Sequence, residues 1–343
     1  MLNLSPNGCS VRVTNQAELA LTPTAVALGK FDGVHRGHQQ VIKPISSSTE
    51  MGLNLSSREL EQGNIHSTVV TFDPHPQEFF SGKPRTLLTP LNEKVKQLQL
   101  LGVEQLVLLP FDRELCELSP VEFVEKILVQ QLQATQISVG QDFRFGSKRS
   151  GTAYDLQIIA ARYNIPVTIV SLEIDTQHDS TAQNTTPEMT RISTSLIRSI
   201  LEEGNVERAQ QLLGRPYTLH GVVVKGQQLG RTIGFPTANL ELPKDKFLPS
   251  NGVYAVRIFE ASGASELLEF LALGVMNIGN RPTVNGENVT IEVHLFDWAA
   301  DLYGKKLVVE LEKFLRPETK FASLEALKNQ IQLDCSLAKA FFS

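Results

Sequence analysis

Two histidines three positions apart, His35 and His38, stand in "LGKFDGVHRGHQQVI" (residues 28–42), among Gly29, Gly33 and Gly37. An apolar strand ending runs into this stretch and a helix start runs out of it. A Gly-rich strand-to-helix turn is common in α/β proteins, so the histidines carry the chemical interest. A helix N-terminus attracts anions through its free N–H groups and the positive end of its macrodipole. Two imidazoles added there suit phosphate oxygens that gain charge during a reaction. Zinc is the rival reading, but the metalloprotease pattern spaces its histidines four apart on a helix, with Glu after the first. Here Arg36 and Gly37 lie between them, no Cys or third His is near, and Gly37 weakens a helix across the pair. Phosphate chemistry is the expectation.

The elements that must position such a turn are legible in the first half of the chain. Apolar runs at 25–31, 67–73, 103–109, 135–140 and 165–172 alternate with helical stretches such as "SPVEFVEKILVQQL" and "AYDLQIIAARY". Strands alternating with amphipathic helices predict an α/β fold with a parallel sheet covered on both faces. Ligands of such sheets bind beyond the carboxyl ends of the strands. Three polar turns converge there: the opening stretch, "TFDPHP" and "VGQDFRFG". Residues 46–66 and 176–187 read as polar surface loops.

From about residue 217 the rhythm changes to short strands separated by Gly, Pro and Asn turns. A small closed β-barrel is predicted, followed by one terminal helix capped by Ser323 with Glu325 in its first turn. The link "ISTSLIRSILEEGNVERAQQLLGRPY" reads as helical with a break at Gly204, which sets the domains at 1–204 and 205–343.

Composition narrows the function. A hydrophobic content of 41% with 20% charged residues describes an ordinary globular protein. The net charge of −5 argues against reliance on bulk positive charge for nucleic acid. Cys9, Cys116 and Cys335 are scattered, without metal or redox spacing, which favours reduced thiols in the cytoplasm. No apolar run approaches membrane length. No membrane, nucleic-acid or obligate protein partner is expected.

In order along the chain, "GKFDGVHRGH", "TFDPHP", "VGQDFRFGSKRSG" and "ISTSLIR" resemble the adenylyltransferase motifs of the prokaryotic bifunctional riboflavin kinase/FAD synthetase family. "GRTIGFPTANL", "NGVYAV", "GVMNIGNRPT", "IEVHLFDWAADLYG" and "LRPETKF" resemble its kinase motifs. The resemblance implies a Rossmann-like nucleotidyltransferase domain followed by a riboflavin-kinase-like barrel. It further implies ATP-dependent phosphorylation of riboflavin to FMN, then adenylylation of FMN to FAD with release of pyrophosphate, both with Mg²⁺. His35 and His38 would stabilise charge in adenylyl transfer. Gly29, Phe31, Gly37, Ser193, Thr194 and Arg198 would serve the ATP phosphates, and Asp142 and Phe143 the flavin side. The hydroxyl cluster of "ISTSLIR" reads Ser-Thr-Ser, where the family usually reads Ser-Ser-Thr, and hydroxyls stand at all three positions.

In the second half, Thr237 and Asn239 lie two apart, so on a strand both face one side. The resemblance makes them ligands of Mg²⁺ and of ATP phosphates, beneath a loop containing Gly226, Gly230 and Gly234. Glu292 alternates with Thr290 and His294 on an apolar strand, where a carboxylate is either an exposed residue or a base. Riboflavin's primary hydroxyl has a proton to lose, which gives a base a defined task. Two other classes remain at this stage. One is a nucleotidyltransferase with another acceptor, which would lack "GFPTAN" and the Glu292 strand. The other is a flavin carrier or sensor without catalysis, which would lack the catalytic groups.

Overall fold

The apolar runs of the first half become a six-stranded, all-parallel sheet. Its strands are β1 (Arg12–Thr14), β2 (Thr24–Leu28), β3 (His66–Asp73), β4 (Gln105–Pro110), β5 (Ala134–Gly140) and β6 (Val167–Val170). The spatial order is β1-β4-β3-β2-β5-β6. Strand β2 lies centrally, and the winding reverses at its end, the place where such sheets hold ligands. Every residue of β2 is buried, as expected of a strand covered on both faces. The computed structural model describes residues 11–46, 65–175, 190–226, 230, 233–262, 267–283 and 286–343. Most of the two polar loops, residues 47–64 and 176–189, therefore lies outside the described residues.

Helices α1 (Arg36–Ser46), α2 (Pro76–Ser81), α3 (Leu91–Leu100), α4 (Pro120–Phe123) and α5 (Ala153–Ala161) accompany this sheet. Helix α4 begins at a reciprocal cap. Ser119 Oγ accepts from the Glu122 N–H at 3.2 Å, and the Glu122 carboxylate accepts from the Ser119 N–H at 2.9 Å. Wider π-type turns continue it through Gln131. Two apolar clusters form, one containing Leu28, Val70, Leu128 and Val139, the other Ala27, Phe31, Ile42 and Val69.

The chain divides into two units, Met1–Ser193 and Thr194–Ser343. This division is earlier than the 204/205 boundary read from sequence, which falls between α6 (Thr194–Glu202) and α7 (Val206–Leu213). Gly204 breaks the pair, as expected, at φ +82°, and a Cβ there would press on the Phe314 ring at 3.1 Å. Both helices belong with the barrel for a physical reason. Ile197 and Leu201 are fully buried, and the Ser250 N–H donates to the Leu201 carbonyl at 2.9 Å.

The barrel closes from β7 (Tyr217–Val224), β8 (Ala238–Glu241), β9 (Gly252–Ser262), β10 (Leu267–Thr283), β11 (Gly286–Leu295) and β12 (Lys306–Pro317). Its antiparallel order is β7-β8-β11-β10-β9-β12 and back to β7. Alternation sends Tyr254, Met276, Ile278 and Val293 to one face, all fully buried. The opposite face, with Val253 and Val275, packs under α8 (Leu324–Phe342) through Cys335 and Ala338. Ser323 caps α8 by accepting the Ala326 N–H at 3.1 Å. No helix among the described residues is long and apolar enough to cross a membrane.

A fragment of residues 194–343 is expected to melt higher than one of residues 206–343. Losing the buried Ile197 and Leu201 costs about 1.5–3 kcal/mol each, and 1 kcal/mol moves the melting point of such a domain by about 2–4 °C. Paired thermal melts check this, and equal melting points would mean that α6 contributes nothing to the barrel unit.

Candidate active sites

In the sheet unit, the turn after β2 reverses sharply. Phe31, Gly33 and Val34 take positive φ angles of 47°, 88° and 42°. For a β-branched valine this is a strained backbone. Burial over-determines it, because Phe31 and Val34 are 0% and 1% exposed in the apolar cluster beneath the turn. Hydrogen bonds finish the lock. The Gly33 N–H donates to Thr89 Oγ1 at 2.9 Å, and the Thr89 N–H donates to the buried Asp32 carboxylate at 3.2 Å.

This turn delivers both imidazoles to the start of α1. Their rings stack, with centroids 3.6 Å apart and planes 17° from parallel. The His38 N–H donates to His35 Nδ1 at 3.3 Å, so Nδ1 of His35 carries no proton and Nε2 holds it in the neutral ring. Gly37 is required by this packing, since a Cβ there would press on the His35 imidazole at 3.3 Å. Arg36 crosses to Glu173 at 2.7 Å and ties the start of α1 to the segment after β6.

Gly29 and Phe31 pack together. A Cβ at Gly29 would meet the Phe31 ring at 3.0 Å, so this glycine makes room for that side chain. Phe31, expected among the ATP-phosphate residues, has no exposed side chain. Its ring supports the site from below, edge-on to His38 at 5.3 Å. On the expected flavin side, Asp142 is ion-paired with Arg191 at 2.5 Å. Phe143 is half-buried, stacks on Phe145 at 5.8 Å and closes the apolar cluster at the sheet end.

Sequence reasoning missed a rim of positive charge around this turn, because its members come from separate loops. Burial lowers the Lys30 ammonium, and the neighbouring Arg149 and Arg85 lower it further. Burial likewise lowers His75, with Lys30 and Arg85 adding to it, from its ordinary 6.5 to about 4. Its imidazole already acts as an acceptor, capping α2 by taking the Gln77 N–H at 3.1 Å. Asp142 works against the shift at Lys30 and Asp32 against the shift at His75, so the positive charge is partly offset on the spot.

In the barrel unit, Thr194 and Arg198 lie on α6, with Ser193 just before it. Arg198 lies over the Phe247 ring at 4.6 Å. His35 and His38 thus belong to one unit and Thr194 and Arg198 to the other. The barrel residues come together. Asn239 of β8 stands opposite Glu292 of β11, which stands opposite Asn277 of β10. Directly opposed residues share a face, with Cβ atoms about 4.5–5.5 Å apart. That face also carries Val275 and Val253 and is the one that packs under α8.

Thr237 lies just before β8, not on the strand with Asn239 as spacing suggests. The glycine loop places it instead. Gly230 accepts the Phe235 N–H at 2.8 Å, and a Cβ on Gly230 would stand 3.3 Å from Thr237 Oγ1. A Cβ on Gly226 would overlap the Asn239 amide. Gly234 serves by conformation alone, at φ +89° in open space.

Asn277 and Glu318 are further members that the sequence did not single out. The Asn280 N–H donates to the Glu318 carboxylate at 3.3 Å, and Gly279 packs against Glu318 and the Asn277 amide. The buried Asp334 of α8 holds this strand end by accepting from Arg316 at 2.8 and 2.9 Å. Among the described residues no group of three His, Cys, Asp or Glu is placed to hold a metal.

Residues 18–183 match the FAD synthetase family model and residues 213–342 the riboflavin kinase model. A relative in Haemophilus influenzae, named bifunctional riboflavin kinase/FMN adenylyltransferase, is 37% identical over 97% of this chain and 99% of its own. The Escherichia coli K12 protein of the same name is 38% identical over 92% of each chain. Among solved structures, a Streptococcus pneumoniae protein described as a macrolide-efflux protein superposes with a TM-score of 0.78. It is 29% identical, over 96% of this chain and 98% of that one.

His75 is expected to titrate near 4 when followed by NMR of its ring protons. Unfolded His75 takes up its proton near 6.5 and folded His75 near 4. Its contribution is therefore complete above 6.5, and acidification through that window favours unfolding. A ring already charged at pH 6 would mean that neither burial nor the cationic rim acts on it.

Proposed function

The chain belongs to the bifunctional riboflavin kinase/FMN adenylyltransferase family, and from that premise we propose how its own residues carry the two reactions. The protein phosphorylates riboflavin to FMN with ATP, then transfers AMP from ATP to FMN, giving FAD and pyrophosphate. The observation that carries the division of labour is the match of each unit to a different family model, in order.

In adenylyl transfer the attacking group is the FMN phosphate, already anionic at neutral pH, so no base is needed. The requirement is stabilisation of charge on the α-phosphate and on the departing pyrophosphate. The stacked His35 and His38 at the start of α1 suit that task. Lys30, Arg85 and Arg149 supply positive potential for substrates that carry phosphate. Ser193, Thr194 and Arg198 retain the role of phosphate contacts in this reading, with hydroxyls and a fork-shaped cation.

In the kinase the acceptor is a hydroxyl. Glu292, in the middle of the Asn239–Glu292–Asn277 row, takes its proton as the oxygen attacks the γ-phosphate. Both reactions use ATP with a divalent metal, and Mg²⁺ is the ion we assign. The barrel fits it: Thr237 and Asn239 offer hard oxygen donors, and Gly226, lacking a Cβ, makes room for the Asn239 amide beside it. Few protein carboxylates suit Mg²⁺, which takes much of its shell from phosphates and water. Once bound, the ion would neutralise phosphate charge. Cys116 and Cys335 are free thiols, which supports a reducing, cytoplasmic setting.

His38→Ala is expected to lower FAD formation from FMN by about 10²–10³-fold while riboflavin phosphorylation stays near normal, so that FMN accumulates. Product separation after incubation with riboflavin, ATP and Mg²⁺ reads both activities at once. Equal loss of both would assign His38 to folding.

Glu292→Gln keeps the volume of the side chain but cannot take the proton. Kinase turnover is expected to fall by about 10²-fold, the lower end of general-base contributions, because loose phosphoryl transfer leans lightly on a base. FAD formation from supplied FMN serves as the internal control. Near-normal FMN production by this variant would remove Glu292 from the mechanism.

A further inference from the structure

We propose that His294 is a positioning residue of the kinase site, holding the segment that carries Thr237. The proposal rests on the reading of Thr237 and Asn239 as phosphate and metal ligands. Strands β8 and β11 pair only at Ala238 with Val293 and at Asn239 with Glu292. One step further the ladder would set Thr237 opposite His294, but the chain has left the strand there. A side chain takes over the missing backbone contact. His294 Nδ1 lies 2.8 Å from the Pro236 carbonyl oxygen. A carbonyl only accepts, so Nδ1 carries the proton and donates.

Ring contacts fix the imidazole in that pose. It meets Phe235 edge-on at 5.5 Å and Phe296 at 6.0 Å, and Phe296 belongs to the buried cluster under α8. Phe235 in turn is tied to Gly230 through its N–H. His294 therefore anchors the stretch from Phe235 to Thr237. It lies two residues from Glu292 on the same face of β11. One rigid strand thus sets the distance between the base and the group that meets the phosphates. Misplacement of such groups by about 1 Å costs roughly 10²-fold in rate.

The test is a double-mutant cycle on the full-length protein. Each variant is assayed for FMN formation from riboflavin, with FAD formation from FMN and the melting point as controls. His294→Phe keeps the ring packing but removes the donor, and His294→Asn keeps a donor near the place of Nδ1. His294→Phe should lower kinase kcat/KM by about 10–10²-fold with FAD formation unchanged, and His294→Asn should recover most of that loss. Thr237→Ala should lower kinase activity by itself, and adding His294→Phe to it should cost little more, because the anchor then has nothing to position. Fully additive losses, or His294→Asn as poor as His294→Phe, would overturn the positioning role. Normal kinase activity in Thr237→Ala would instead overturn the ligand reading beneath it. Should His294→Phe fail to fold, His294→Leu, which also lacks the donor, takes its place in the comparison with His294→Asn and in the cycle with Thr237→Ala.

Discussion

The Phe31 ring lies beneath its own loop, against Gly29 and edge-on to His38, and the pose of the two stacked histidines depends on it. Positive φ at two bulky residues costs on the order of 1–3 kcal/mol each. Fully burying a Phe or Val side chain returns roughly 1.5–3 kcal/mol. The two effects nearly cancel, so small additional interactions decide the conformation. The bonds joining Asp32, Thr89 and Gly33 supply them. With the turn held, α1 must begin at Arg36, and the imidazoles have one place to stack.

The barrel solves the same positioning problem by another route. There the backbone is regular, and cross-strand register aligns Asn239, Glu292 and Asn277 without strain. Irregularity is confined to the loop before β8, where Gly226 and Gly230 allow close approach to Asn239 and Thr237. The face that carries the row is also the one that α8 covers further along. Burying Asp334 against Arg316 therefore fixes a strand end close to Asn277 and Glu318.

Most of the architecture was legible because it rests on local signals. Apolar runs of five to eight residues marked β2 to β5, and Gly204 and Ser323 marked helix boundaries. Strand β1, with three residues, is too short for alternation to register. The division at Ser193/Thr194 differs from the boundary read at 204/205, because the helical rhythm of α6 gives no hint of the core that buries Ile197 and Leu201. At the site, histidines at a helix start announce themselves. Phe31 did not, since an aromatic ring beside a ligand turn reads equally as wall or foundation until its burial is known. Lys30, Arg85 and Arg149 were illegible as a group, because their repulsion arises only when separate loops meet.

Closure has a consequence for how the protein resists self-association. Among the described residues the barrel returns from β12 to β7, so every barrel strand has a neighbour on both sides over at least part of its length. The parallel sheet ends at β1 and β6, strands of three and four residues. Such short edges give an incoming strand few backbone groups to bind, and the long apolar strands lie inside the sheet. Amyloid-like stacking would first require opening the sheet itself. In the parallel sheet, the strands open to addition are therefore the ones least able to sustain it.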